Sequence, residues 1–134
     1  MVIKFMQLGN LEKLVLNYLW REHKADAKQV HGYFEPRRGG TLNTIQSTLD
    51  RLYKKGLLTR AKSGHAFNYE PAIERKELLG SLIQTITEEL AKNDAEAVLE
   101  AFVDISVSLD EKSLQRLEHL IASKKAEQED KKHQ

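Results

Sequence analysis

The chain has 134 residues, 40% of them hydrophobic and 31% charged, enough for one ordinary domain or a compact domain with an appendage. It holds no cysteine, which excludes disulfides, thiolate metal sites and cysteine nucleophiles; MVIKFMQLGN lacks the apolar run of a signal peptide and no stretch nears the roughly 20 apolar residues of a membrane span, so a cytoplasmic protein without a membrane partner is expected. The net charge of +1 hides a division: residues 1–70 carry 12 Lys and Arg against 6 Asp and Glu, and residues 71–134 carry 9 against 14, so a polyanion partner is expected for the first half and another task for the second.

Residues 9–22 have helical period, with Leu11, Leu14, Val15, Tyr18 and Leu19 on one face, Gly9 or Asn10 as N-cap and Glu12 in the first turn. Trp20 lies off that stripe and is read as core or domain-interface packing. Asp26 and Gln29 have the spacing of a capping box and open a second helix that runs through Phe34, with Glu35 and Pro36 ending it. Arg37, Arg38, Gly39 and Gly40 then form a basic turn before Thr41, the N-cap of a third helix over 41–55. Amides at that helix start, near two arginines, suit a phosphate.

The third helix has two faces. Leu42, Ile45, Leu49 and Leu52 form a stripe to be buried. Away from it lie Asn43, Thr44, Ser47, Asp50, Arg51 and Lys54, with Gln46 on the flank, and short amides and hydroxyls followed by cations suit a helix entering the DNA major groove by its N-terminal half. Gly56 stops the helix. The period then becomes two, giving strands at 57–62 and 66–70 joined by Ser63, Gly64 and His65, a hairpin with Arg60, Lys62 and His65 at or near its tip. A polar-faced helix followed by a basic hairpin over 57–70 is the layout of a winged helix, in which the wing follows the backbone or minor groove.

Three segments in this order, LGNLEKLVLNYLW (8–20), TLNTIQSTLDRLYKKGLL (41–58) and GHAFNYEP (64–71), resemble the penicillinase-repressor family of bacterial winged-helix regulators, the BlaI, MecI and CopY type. The resemblance covers residues 8–71 and continues more weakly beyond. It implies a homodimeric repressor on a palindromic operator in double-stranded DNA, released by a signal. Asn43, Thr44, Gln46 and Ser47 would face the groove, with Arg51, Lys54 and Lys55 on the backbone; Arg37, Arg38, Thr41, Arg60, Lys62 and His65 complete the expected interface. His65 departs from the family, which often has arginine there, and is mostly uncharged at neutral pH. Asp50 would repel phosphates, and pairing with Lys54 is its ordinary role.

Beyond Pro71 only helices are expected. Residues 74–91 carry Leu79, Leu82, Ile83, Ile86 and Leu90 on one face. Asn93 with Glu96 reads as a capping box before Val98, Leu99, Phe102 and Val103, and Ser108 with Glu111 as another before Leu114, Leu117, Leu120 and Ile121. Such stripes need partners, and a second copy serves. Leu82, Ile86, Leu99, Phe102, Leu114, Leu117 and Ile121 are therefore expected at a dimer interface. The fold class is mainly α with a small β-hairpin: a winged helix-turn-helix domain at 1–72 and a helical dimerisation region at 73–134, with a charged tail disordered from about 124.

No phosphate-binding glycine loop, nucleophile elbow or HExxH occurs, and the histidines lack ligand spacing, so no catalytic residues, cofactor or metal are expected, and the chain is not read as an enzyme. Copper-responsive relatives carry a cysteine cluster that is missing here. Relatives responding to beta-lactams are cut by a membrane sensor protease between asparagine and phenylalanine, where this chain has Ala101 before Phe102. A sensor protease or another inducer remains open as the releasing partner. The competing reading is a winged-helix protein-interaction module that does not bind DNA, favoured by Asp50, an uncharged His65 and the near-zero net charge.

Overall fold

The computed structural model of the protein describes residues 7–92, 94–108 and 110–132. Its elements are α1 (Asn10–Glu22), β1 (Ala25–Asp26), α2 (Ala27–Arg38), α3 (Leu42–Lys54), β2 (Leu58–Ser63), β3 (Ala66–Pro71), α4 (Arg75–Ala91), α5 (Ala95–Val107) and α6 (Glu111–Lys132). This is the expected winged helix-turn-helix followed by helices, with one addition. The two-residue β1 pairs antiparallel with β3, Ala25 opposite Tyr69 and Asp26 opposite Asn68, so the sheet has the order β1-β3-β2. Two residues are too few to display a period of two.

Three helices and the base of the hairpin enclose one core, drawn from Val15, Leu16 and Leu19 of α1, Val30 and Phe34 of α2, Ile45, Leu49 and Leu52 of α3, and Leu57, Leu58 and Tyr69. The buried face of α1 is rotated from the expected one: Leu16 is 1% exposed and Leu14 is 43% exposed. The winning stripe is Glu12, Val15, Leu16 and Leu19, and it contains a carboxylate that apolar period alone would keep out of a core. Trp20 packs against this core and its indole N–H donates to the Ile73 carbonyl at 2.9 Å.

The capping box of α2 forms in both directions, the Gln29 amide to Asp26 at 2.8 Å and the Asp26 amide to Gln29 at 2.9 Å. The helix does not end at Glu35 and Pro36 but continues to Arg38. Proline so near the C-terminus removes a single bond, and the Gly39 amide still closes on Glu35 at 2.8 Å. α3 ends in a Schellman arrangement: the Leu57 amide reaches the Leu52 carbonyl at 3.0 Å and the Gly56 amide the Tyr53 carbonyl at 3.0 Å, with Gly56 at φ +80°. Ser63 pairs with Ala66, so the wing turn is the two residues Gly64 and His65, with Gly64 at φ +64°.

The backbone divides into two compact units, Met1–Thr85 and Ile86–Gln134. In the second, the caps shift from their expected places. Asp94 accepts from the Ala97 amide at 3.0 Å, Asn93 lying outside the described residues, and Asp110 accepts from the Ser113 amide at 2.8 Å. Ser108 instead closes α5, its hydroxyl donating to the Ile105 carbonyl at 2.5 Å. Helix α6 runs through the segment expected to be disordered from 124, as far as Lys132; Ala, Lys, Glu and Gln are strong helix formers, and Lys124 pairs with Glu127 at 3.4 Å. Among the described residues no helix is long and apolar enough to cross a membrane.

Candidate nucleic-acid interface

Helix α3 is positioned by its buried stripe. Ile45, Thr48, Leu49 and Leu52 are each at most 3% exposed, which turns Asn43, Gln46 and Ser47 to solvent. Thr48 was not expected inside; its hydroxyl donates to the Thr44 carbonyl at 2.8 Å and accepts from Arg51 at 3.2 Å, so its polar atom is satisfied. Leu42, expected in the stripe, is only half-buried.

At the helix start, Thr41 is the N-cap, its Oγ1 accepting from the Thr44 amide at 3.2 Å. Its hydroxyl also lies 3.0 Å from that of Thr44, so Thr44 serves the cap and is less free to read a base than Asn43, Gln46 and Ser47. Before it, Gly39 and Gly40 sit at φ +74° and +109°, a path that L side chains rarely take. His31 holds the Gly40 carbonyl through Nε2 at 3.2 Å.

The expected cations separate into two groups. Lys62, Lys54 and Arg38 are exposed, as is the imidazole of His65, and Lys54 is tethered through Asp50, at 3.0 Å with its side chain 73% exposed. The others make contacts within the fold, Arg37 and Arg51 while exposed and Arg60 and Lys55 half-buried. Arg37 and Arg38 lie in α2, not in a turn, and Arg37 stacks on the Tyr33 ring at 3.8 Å while donating to the Tyr33 carbonyl. Arg60 bonds Asp50 at 3.1 Å. Lys55 reaches across the core to Glu12 at 2.6 Å and to the Gln7 carbonyl at 3.0 Å.

Glu12 is 7% exposed. Burial would raise its carboxyl, but the hydrogen bond from Lys55, the Gly9 amide and the charges of Lys55 and Arg51 outweigh burial and hold it below the ordinary 4.5. Asp50 is held below its ordinary value chiefly by the hydrogen bond from Lys54, with Arg60 adding to it. Glu12 and Asp50 are thereby each matched to cations.

One residue escaped the sequence reading. Lys28, in the first turn of α2, lines a cleft of about 350 Å³ with Gln46, Ser63, His65 and Phe67. The cleft joins the start of α2, the reading face of α3 and the wing tip. The signal was the capping box: a cation two residues after an N-cap stands where backbone amides point outward.

Of the residues expected to join copies, Ile86, Leu99, Phe102, Leu117 and Ile121 are exposed, at 42%, 60%, 45%, 37% and 48%. Leu114 is half-buried, and Leu82 packs against the core of the first unit. Helices α5 and α6 have no buried residue at all among those described.

The penicillinase repressor family matches residues 8–123. The transcriptional regulator BlaI of Mycobacterium tuberculosis is 31% identical over 103 residues, 75% of each chain. The methicillin resistance regulatory protein MecI of Mammaliicoccus sciuri is 22% identical over 121 residues, 90% of this chain and 98% of that one. Among solved structures, the DNA-binding domain of the repressor BlaI superposes with a TM-score of 0.50 at 30% identity, over 55% of this chain and 90% of that domain.

Proposed function

The chain belongs to the penicillinase-repressor family, and from that premise we propose that it is a DNA-binding transcriptional repressor that reads a palindromic operator as a homodimer. The observation that carries the reading is the face of α3: a fully buried stripe fixes Asn43, Gln46 and Ser47 outward at the N-terminal half of the helix, the part that enters a major groove. Base edges are assigned to these three, and phosphates to Lys28, Arg38, Lys54, Lys62 and the amides at Thr41. Thr44 supports the helix start. Arg51 flanks the groove, bonded to Thr48. Arg37 and Lys55, held by Tyr33 and Glu12, serve the fold.

Residues 1–72 are assigned to DNA and 73–134 to pairing of copies. The support for pairing is the second unit, where Leu99, Phe102, Val103, Ile105 and Val107 of α5 are all at least 45% exposed; that much apolar surface on one short helix calls for a partner. A two-fold pair presents two reading helices to half-sites about one turn apart. A duplex partner also sets the place of work in the cytoplasm. Asp50 had favoured a protein partner over DNA, but its carboxylate is turned to Lys54 and Arg60, which weakens that reading.

Selection of bound duplexes from a random pool tests the proposal. The expected winner is a two-fold repeat, and F102D should convert a dimer to monomers in sedimentation and abolish preference for the repeat over a single half-site. Winners without symmetry, or a wild-type chain that sediments as a monomer at micromolar concentration, would overturn it.

A further inference from the structure

The wing has no core of its own. From Ala61 to Phe67 every residue is exposed, and a two-stranded ribbon with no buried face does not hold an angle by itself. At its base, beside the buried Leu58 and Tyr69, stands Arg60. Its guanidinium lies 3.9 Å from the centroid of Tyr53 on α3 and 4.4 Å from that of Phe67 on β3, and Nη1 bonds Asp50 at 3.1 Å. The side chain is only 25% exposed. Lys54 shares the same carboxylate but is 73% exposed.

We propose, building on the DNA-binding reading, that Arg60 is a positioning residue: clamped by Tyr53 and Phe67 and braced by Asp50, it sets the wing against the reading helix so that Lys62, not Arg60, meets a phosphate. Strand period supports this directly, because Lys62 lies two residues on and shares the face of Arg60. Lys62 also sits opposite Phe67 in the register, so the ring that clamps Arg60 is its cross-strand neighbour. A planar guanidinium suits such a site, and an ammonium does not stack in the same way.

The test uses the full chain with a random 30-bp duplex, following affinity against salt. K62Q should lower the slope of log K against log salt by about 0.9, the value of one neutralised phosphate. R60Q, R60K and D50N should each weaken binding about tenfold and lower the slope by about the same 0.9, because a displaced wing takes Lys62 off its phosphate. R60Q added to K62Q should lower it no further, and the D50N/R60Q pair should lose no more than either alone. A further slope drop of about 0.9 when R60Q is added to K62Q, a wild-type slope in R60K, or tighter binding by D50N would overturn the proposal, the last because it is what removal of a repelling carboxylate produces. A readout without DNA keeps the two readings apart. The chain has no cysteine, so spin labels on an S47C/K62C background, diluted with unlabelled chain, report the distance from helix to wing. A narrow distribution that broadens in D50N and R60Q supports the brace, and an unchanged one overturns it. Absence of salt-dependent binding by the wild-type chain would instead remove the DNA-binding reading.

Discussion

The Lys55 Nζ lies 2.6 Å from Oε2 of Glu12, joining the C-cap of α3 to the first turn of α1 across 43 residues of sequence. The carboxylate side chain is 9% exposed and the ammonium 27%. K55M leaves Glu12 charged and buried with the Gly9 amide and the charge of Arg51, and should destabilise the protein by about 2–3 kcal/mol, less than a fully buried pair because Lys55 retains some solvent. E12Q keeps the amide contact and should cost about 1 kcal/mol. Urea unfolding measures both, and neither should change the salt slope of duplex binding, since Lys55 is assigned to the fold.

The same pair predicts a dependence on pH. The unfolded carboxyl titrates near the ordinary 4.5, and the folded one below it. As pH falls the unfolded chain takes up the proton first, so the stability that Glu12 supplies is whole above about 4.5 and is lost as pH drops through the lower folded value. Asp50 acts in the same direction from its own lowered position. In E12Q the fall in stability over this acid window should be shallower than in the wild type, which a series of unfolding curves from pH 6 to pH 3 would reveal.

Gly56 stands at φ +80°, and a Cβ there would meet nothing within 4 Å. The cost of G56A is therefore backbone strain alone, about 1 kcal/mol. A thermal melt should show it without loss of two-state behaviour. A larger loss would mean that the helix end, and with it Leu57, had shifted.

Reading and steering residues should separate in binding assays. N43A, Q46A or S47A should each cost about 1–3 kcal/mol on a selected duplex for every base edge left unread, and leave binding to random duplex nearly unchanged. K28Q should weaken both equally and reduce the salt slope by about 0.9. Equal weakening on both duplexes for Q46A would reassign it to the backbone.

The order of helices, the Thr41 cap, the Gly56 stop and the hairpin were legible because each rests on neighbours in sequence. The stripe of α3 was legible too, apart from Thr48, whose hydroxyl is satisfied inside its own helix and so can be buried. Three things were not. The face of α1 depends on Glu12, which is buried only because Lys55 arrives from a distant helix. The fates of Arg60 and Lys55 depend on partners that charge counting does not identify, so residues alike in sequence became a brace and a buried pair. β1 needed β3 to exist before it had any pattern.

Trp20 is the single tryptophan of the chain, and its indole is tied to the Ile73 carbonyl 53 residues away, both within the first unit. Arg75 lies 5.1 Å above its ring. Its emission is thus a built-in optical reporter of whether the segment after β3 is docked on α1. Because no indole occurs in residues 86–134, that light originates in the first unit, and a loss of helix by circular dichroism that runs ahead of or behind it marks melting elsewhere in the chain without adding a dye.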